Sequence, residues 1–281
     1  MTHGETAAPG AGIAREVKTR TGGRLYTREA GEGPALLLLH AFPLNGRMWI
    51  AQLDALKSRA RVVAPDLPGF GLTPVPRETQ SLDGYAEAVL DVLDALEIDR
   101  VIVAGLSMGG YLAFRLIEPL GARLAGLFLA DTRPAADAEE EAARRHLLAA
   151  EVEREGVDVA ANEVLPKLLG DTTRRTRAGV FEQVRALIRE NTPAGVAAAL
   201  RAMAGRPDST GLLSRIRCPV DCITGEEDAI TPPALARDMV ERISGARLVV
   251  VPEAGHLSSL EAPAAFNEAL ASLVVRAGEA R

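Results

Sequence analysis

Two stretches, Ala35-Leu36-Leu37-Leu38-Leu39 and Val101-Ile102-Val103, are apolar at every position. A strand with one wetted face alternates apolar and polar residues. Continuous runs of this length therefore fit strands buried on both faces, at the centre of a largely parallel sheet with helices above and below it. Further β-rich runs at 25–29, 61–65, 124–130, 220–224 and 247–251 extend that sheet, and the turn Gly31-Glu32-Gly33-Pro34 links 25–29 to a strand over 35–40. Amphipathic helical patterns lie between them around Asp54, at 82–97 and at 108–118, and two more close the chain at 233–243 and 263–275. The alternation predicts the α/β class: a mostly parallel central sheet of about eight strands flanked by helices.

One region breaks the rhythm. From about 134 to 212 there is helical patterning rich in Ala, Leu, Arg and Glu, with no convincing strand. It is expected to be a helical cap lying over the strand ends, inserted into a core made of 13–133 and 213–281. Residues 1–12 are polar and rich in Gly, Ala and Pro, and are expected to be a flexible tail without a signal-peptide core.

The bulk composition narrows the partners. The net charge is −6 over 281 residues, so no general pull toward nucleic acid or an anionic membrane is expected. No apolar run reaches the roughly 20 residues that span a bilayer, and a cytoplasmic location follows by default. The basic clusters Arg144-Arg145-His146 and Arg174-Arg175-Thr176-Arg177 are expected to be solvated helix faces. Cys218 and Cys222 flank Pro-Val-Asp at the start of a strand. Four strand residues span roughly 13 Å, too far for a disulfide with its limit of about 7 Å. No second Cys/His cluster completes a zinc site, which leaves both as buried thiols.

The chemistry concentrates after strand 101–105, in Gly105-Leu106-Ser107-Met108-Gly109-Gly110, followed at once by an amphipathic helix. This is G-x-S-x-G in a strand–turn–helix setting, where a nucleophilic serine sits on a sharp elbow and the residues two before and two after it come too close for side chains. A serine hydroxyl needs a base within hydrogen-bond reach. Of four histidines, His3 is in the tail, His146 lies beside two arginines in the insertion, and His40 ends a central strand. His256 remains, in a loop after the last strand, where open α/β sheets place their chemistry. The imidazole in turn needs a carboxylate. Asp228, four residues after strand 220–224, is the first choice, with Asp131 at the end of strand 124–130 as chief rival and Glu226 and Glu227 as weaker ones. Two backbone N–H groups are expected to receive the oxyanion: that of Met108, next after the nucleophile, and that of Phe42, in the loop after strand 35–40.

Taken together, His40-Ala41-Phe42-Pro43, Asp66-Leu67-Pro68-Gly69-Phe70-Gly71, Gly105 to Gly110, the segment 225–232 and Ala254-Gly255-His256 resemble the α/β-hydrolase superfamily over roughly residues 20 to 277. Within it, Leu129-Ala130-Asp131-Thr132-Arg133 and the stretch 203–210 look like small capped bacterial carboxylesterases and the 3-oxoadipate enol-lactonase group. The order Ser107, Asp228, His256 matches the Ser…acid…His order of that fold. One departure is His40-Ala41, where the family usually has His-Gly; alanine suits the loop if that position does not need a positive φ. Serine at the elbow, where epoxide hydrolases and haloalkane dehalogenases carry Asp, excludes their alkyl-enzyme chemistry.

The expectation that follows is a carboxylesterase acting on small, short-acyl esters through an acyl-enzyme, with a small-molecule ester as its partner and no metal or organic cofactor. A lactonase, such as an enol-lactonase, keeps the chemistry and changes the substrate; its carboxylates would call for cations, for which Arg133, Arg174 and Arg206 are candidates. Perhydrolysis would use the same three residues. A non-catalytic ligand-binding receptor on this fold is the reading from a different class, and it does not require the triad to be intact.

Overall fold

The computed structural model describes residues 13–18, 23–75 and 81–279. The tail expected at 1–12 lies outside them. The strands are β1 (Ile13–Lys18), β2 (Arg24–Ala30), β3 (Ala35–Leu39), β4 (Arg61–Pro65), β5 (Val101–Leu106), β6 (Leu124–Ala130), β7 (Val220–Gly225) and β8 (Arg247–Val251). The helices are α1 (Ile50–Leu56), α2 (Leu82–Ala95), α3 (Met108–Leu120), α4 (Glu139–Glu155), α5 (Val157–Leu168), α6 (Asp171–Thr176), α7 (Ala178–Arg189), α8 (Pro193–Ala204), α9 (Pro233–Arg242), α10 (Ser258–Glu261) and α11 (Pro263–Glu279).

The strands form one sheet in the order β1-β2-β4-β3-β5-β6-β7-β8. β2 runs antiparallel to both its neighbours, β1 and β4, and every other pairing is parallel. The continuous apolar runs explain themselves here. Leu37, Leu39, Val63, Val103, Leu127 and Leu129 belong to one core cluster, with Leu93 of α2 and Leu112 of α3. Their alternates Leu36, Leu38, Val62, Ala64, Ile102 and Phe128 belong to a second, with Leu53 of α1 and Phe266 and Leu270 of α11. Both faces of the central strands are thus covered, as a period of two with no polar positions requires. The strand not anticipated is β1. It is an edge strand that pairs only with β2, and its sequence Ile-Ala-Arg-Glu-Val-Lys has no regular apolar alternation to announce it.

Local chemistry sets the helix starts. Ser81 Oγ accepts the Gly84 N–H at 3.2 Å at the head of α2, and Thr192 Oγ1 accepts the Gly195 N–H at 3.1 Å where α8 opens with Pro193.

Helices α4 to α8 lie between β6 and β7, and no strand interrupts 131–219. This insertion touches the loops at the C-terminal ends of the strands. Asn191 donates to the Pro43 carbonyl at 2.7 Å and accepts the Gly71 N–H at 2.8 Å, and Asn45 donates to Glu190 at 2.9 Å. At Gly195 the two backbones come so close that a Cβ would lie 1.8 Å from the Gly69 carbonyl oxygen. The basic clusters are only partly solvated faces. Arg144 and His146 are exposed, but Arg145 turns inward to Asp137 at 2.6 Å, and Arg177 reaches the carbonyls of Glu253 and Glu261. Among the described residues, no helix is long and apolar enough to cross a membrane.

Candidate active site

β5 delivers the chain to Ser107 and α3 carries it away, with Ser107 held at φ 55°, ψ −113°. This is a conformation that non-glycine residues rarely adopt, stored where the surrounding packing enforces it. The flanking glycines are steric necessities: a Cβ on Gly105 would lie 2.2 Å from the Gly109 carbonyl oxygen, and one on Gly109 would lie 2.1 Å from the Leu39 carbonyl oxygen.

His256 Nε2 and Ser107 Oγ are 2.8 Å apart, and His256 Nδ1 and Asp228 Oδ2 are also 2.8 Å apart. The Asp228 carboxylate is itself fixed. Its Oδ1 accepts the Ile230 and Thr231 N–H groups at 2.8 and 2.9 Å, and its Oδ2 accepts the Thr231 hydroxyl at 2.6 Å. Burial alone would raise its pKa, but the neighbouring imidazole and these donors outweigh it and hold Asp228 down to about 2. Burial likewise works against a charged His256. The Asp228 charge and hydrogen bond, with Asp131 and Glu261 behind them, prevail and raise its pKa above the ordinary value.

The rival acids lie elsewhere. Asp131, buried at the end of β6 with φ 44°, accepts the Gly225 N–H at 2.9 Å and the Ser258 hydroxyl at 2.5 Å rather than bonding to the imidazole. Burial first, and the Asp228 charge second, push its pKa well above the carboxylate range. Glu227 takes the Thr172 N–H and hydroxyl at 2.8 and 2.5 Å, and Glu226 is exposed.

The donor loop follows β3. Ala41 is fully buried and is not among the positive-φ residues, so alanine meets no strain there. The Phe42 N–H donates no hydrogen bond to the described residues, nor does the Met108 N–H at the head of α3. His40 braces this loop: its Nε2 accepts the Leu67 N–H at 3.0 Å, which puts the proton on Nδ1, facing the Ala41 carbonyl at 3.0 Å. Burial pushes its pKa down to about 4. Asp66 completes the brace, binding Arg28 at 2.9 Å and the Gly46 N–H at 2.8 Å.

The arginines considered for carboxylate recognition are all engaged. Arg133 and Arg206 pair with Asp137 at 2.9 and 2.7 Å, and Arg174 pairs with Asp171. Arg206 also stacks over the Tyr111 ring at 4.0 Å. Cys222 is buried and Cys218 only half-buried, neither is paired, and burial pushes their thiols up to about 12 and 11. Cys218 borders an open groove of about 640 Å³ with Arg100, Arg215 and Arg217, at the opposite end of the sheet from Ser107. Sequence reasoning passed over Thr231, Asn191 and Glu261. Thr231 stood three residues after Asp228, a spacing at which a carboxylate commonly meets a turn hydroxyl and amide; the other two act across long sequence separations and left no local signal.

The family model for the alpha/beta hydrolase family matches residues 36–269. The pimeloyl-[acyl-carrier protein] methyl ester esterase of Aromatoleum aromaticum is 32% identical over 241 residues, covering 82% of this chain and 94% of its own. The 3-oxoadipate enol-lactonase 1 of Acinetobacter baylyi is 29% identical over 241 residues, covering 86% and 88%. Among solved structures, a thermophilic esterase from Thermogutta terrifontis superposes with a TM-score of 0.91 at 36% identity, covering 94% of this chain and 99% of its own. With the Gly105–Gly109 elbow standing at the end of a central strand of the eight-stranded sheet, this chain belongs to the alpha/beta hydrolase family.

Proposed function

We propose that the protein is a serine carboxylesterase that hydrolyses small, short-acyl esters through an acyl-enzyme. The observation that carries this reading is the unbroken chain of two 2.8 Å contacts from Ser107 through His256 to Asp228. Ser107 Oγ attacks the ester carbonyl carbon while His256 Nε2 takes its proton, and Asp228 holds the tautomer and stabilises the imidazolium. The Met108 and Phe42 N–H groups receive the oxyanion. His256 then protonates the departing alcohol, and a water attacks the acyl-enzyme by the same proton route, releasing the acid and restoring Ser107. The bond broken is the ester C–O, and no electrons leave the system.

Residues 134–212 act as a cap on the core 13–133 and 213–281. Ser107 is only 8% exposed, and in this reading substrate enters when the insertion moves, which limits substrate size. A neutral ester fits better than a carboxylate-bearing lactone, because Arg133, Arg174 and Arg206 already commit their charge to Asp137 and Asp171.

The test is hydrolysis of nitrophenyl esters from acetate to decanoate, wild type beside Ser107→Ala, with labelling by a serine-reactive phosphonate. Turnover falling with acyl length, and both turnover and labelling lost in Ser107→Ala, is the expected result. Folded wild-type protein that neither turns over nor labels would sink the reading and favour a binding role.

A further inference from the structure

Glu261 ends α10, five residues after His256, and is 3% exposed. Its Oε1 accepts the N–H groups of Gly255 at 3.0 Å and Leu257 at 3.1 Å, the two amides on either side of His256. Its Oε2 accepts the N–H of Gly170 at 2.9 Å, in the turn joining α5 to α6. One buried carboxylate thus makes three charge-assisted hydrogen bonds, a type roughly twice as strong as its neutral counterpart. The seam it closes is tight: a Cβ on Gly255 would lie 2.2 Å from the Gly170 nitrogen. Arg177 adds a second tie, donating to the carbonyls of Glu253 and Glu261. The loop between β8 and α10 belongs to no regular element, and Glu253 within it sits at φ 56°. Its course past Ser107 is therefore set by such side-chain bonds and by isolated backbone bonds, such as that from the Glu227 N–H to the Ala254 carbonyl at 2.8 Å, rather than by a strand or helix ladder.

We propose that Glu261 is a positioning residue, which grips both amides flanking His256 to keep Nε2 facing Ser107 and ties that loop to the 169–170 turn of the insertion. The inference rests on the serine-esterase reading of Ser107 and His256. Glu261 touches no reacting atom. It acts through the loop backbone, and a displacement of about 1 Å in such a group can cost about 100-fold in rate.

Two substitutions separate positioning from plain stability. Glu261→Ala removes all three acceptors. Glu261→Gln can keep its carbonyl oxygen on Gly255 and Leu257 while presenting an amide N–H to Gly170 in place of an acceptor. Active sites are counted by phosphonate labelling, so that misfolded protein drops out of kcat. The expected kcat per labelled site falls about 100-fold in Glu261→Ala, with KM changed far less, and Glu261→Gln recovers to within about tenfold of wild type. In both variants the acidic limb of kcat/KM moves to lower pH, because one of the carboxylates facing His256 is gone while Asp228 and Asp131 remain and Glu227 stays bound to Thr172. If Glu261→Ala does not fold, Glu261→Asp carries the test: it keeps the charge, but its shorter side chain withdraws the acceptor from the Gly255 and Leu257 amides, so kcat per labelled site should fall while Glu261→Gln stays near wild type. Wild-type kcat per labelled site in Glu261→Ala, or in Glu261→Asp in its place, would overturn the proposal even if its Tm dropped. Retained hydrolysis in Ser107→Ala would instead overturn the esterase reading, and this inference with it.

Discussion

His256 is 1% exposed, and burial of that degree discourages a charged imidazole, yet its pKa lies above the ordinary value because the Asp228 carboxylate touches Nδ1. A base must be neutral to accept the Ser107 proton, so activity is absent below this pKa and gained above it. The profile of kcat/KM between pH 5 and 9 should therefore rise through a midpoint above the unperturbed value of about 6.5. A midpoint at or below that value, with chemistry rate-limiting, would remove the Asp228 account. Asp228→Asn should lower kcat by about 10⁴-fold, the size of loss seen when a triad acid is made neutral, and shift the limb to lower pH. Asp131 offers a stability test at the same scale. Its raised native pKa means that the folded protein keeps a proton that the unfolded chain releases near about 3.9. Stability carried by this group is full below that value and is lost as pH rises toward the native pKa. Asn tolerates the φ of 44° and cannot titrate, so the Tm of Asp131→Asn relative to wild type should climb from pH 4 to pH 8. A difference independent of pH would contradict the shift.

At the scale of elements, glycine decides how closely the insertion seats on the core. α8 meets the loop after β4 backbone to backbone at Gly195 and Gly69. Gly195→Ala forces a methyl into the Gly69 carbonyl and should destabilise by about 1–3 kcal/mol, read as a lower urea midpoint. Gly179, exposed in α7 with nothing within 4 Å of the point where a methyl would project, is the contrasting case. Gly179→Ala should stabilise by about 0.4–1 kcal/mol without affecting turnover. Equal effects of the two changes would show that close approach is not what matters at Gly195.

For the whole molecule, the question is how core and insertion are joined. Both junctions meet at one place: the Ser209 N–H donates to the Pro134 carbonyl at 2.9 Å, and Arg206 donates to the Ala135 carbonyl at 3.0 Å. Asp137 sits there with no exposed side-chain surface, bound to Arg133, Arg145 and Arg206. Burial would raise its pKa, but Arg145 and Arg206 outweigh burial and lower it. Removing Asp137 leaves Arg206 without its carboxylate and Arg133 and Arg145 with Glu141 alone. Asp137→Ala should cost about 3–5 kcal/mol, as the loss of one partner of a buried ion pair does, and a loss under about 1 kcal/mol by urea denaturation would show that water already screens the cluster.

Much of this was legible in the chain. The runs at 61–65, 124–130 and 247–251 coincide with β4, β6 and β8, because periodicity and turn residues report a strand's own exposure. The elbow at Ser107 was legible for a similar reason, since it carries its steric signature in Gly105 and Gly109, and His256 stood out because the other three histidines were poorly placed. β1 was not, since an edge strand needs no apolar alternation, and neither was the exchange of β3 and β4 in the sheet, since pairing partners leave no local pattern. The choice of Asp228 over Asp131 belonged to tertiary structure as well. Both acids follow a strand, and only the path of the loop holding His256 brings Nδ1 to one and leaves the other with Gly225 and Ser258. The same is true of Arg133, Arg145 and Arg206, which turn inward because a buried Asp137 must be neutralised. Sequence determines which face of each element is dry; packing alone decides which charges and carboxylates meet once those faces close.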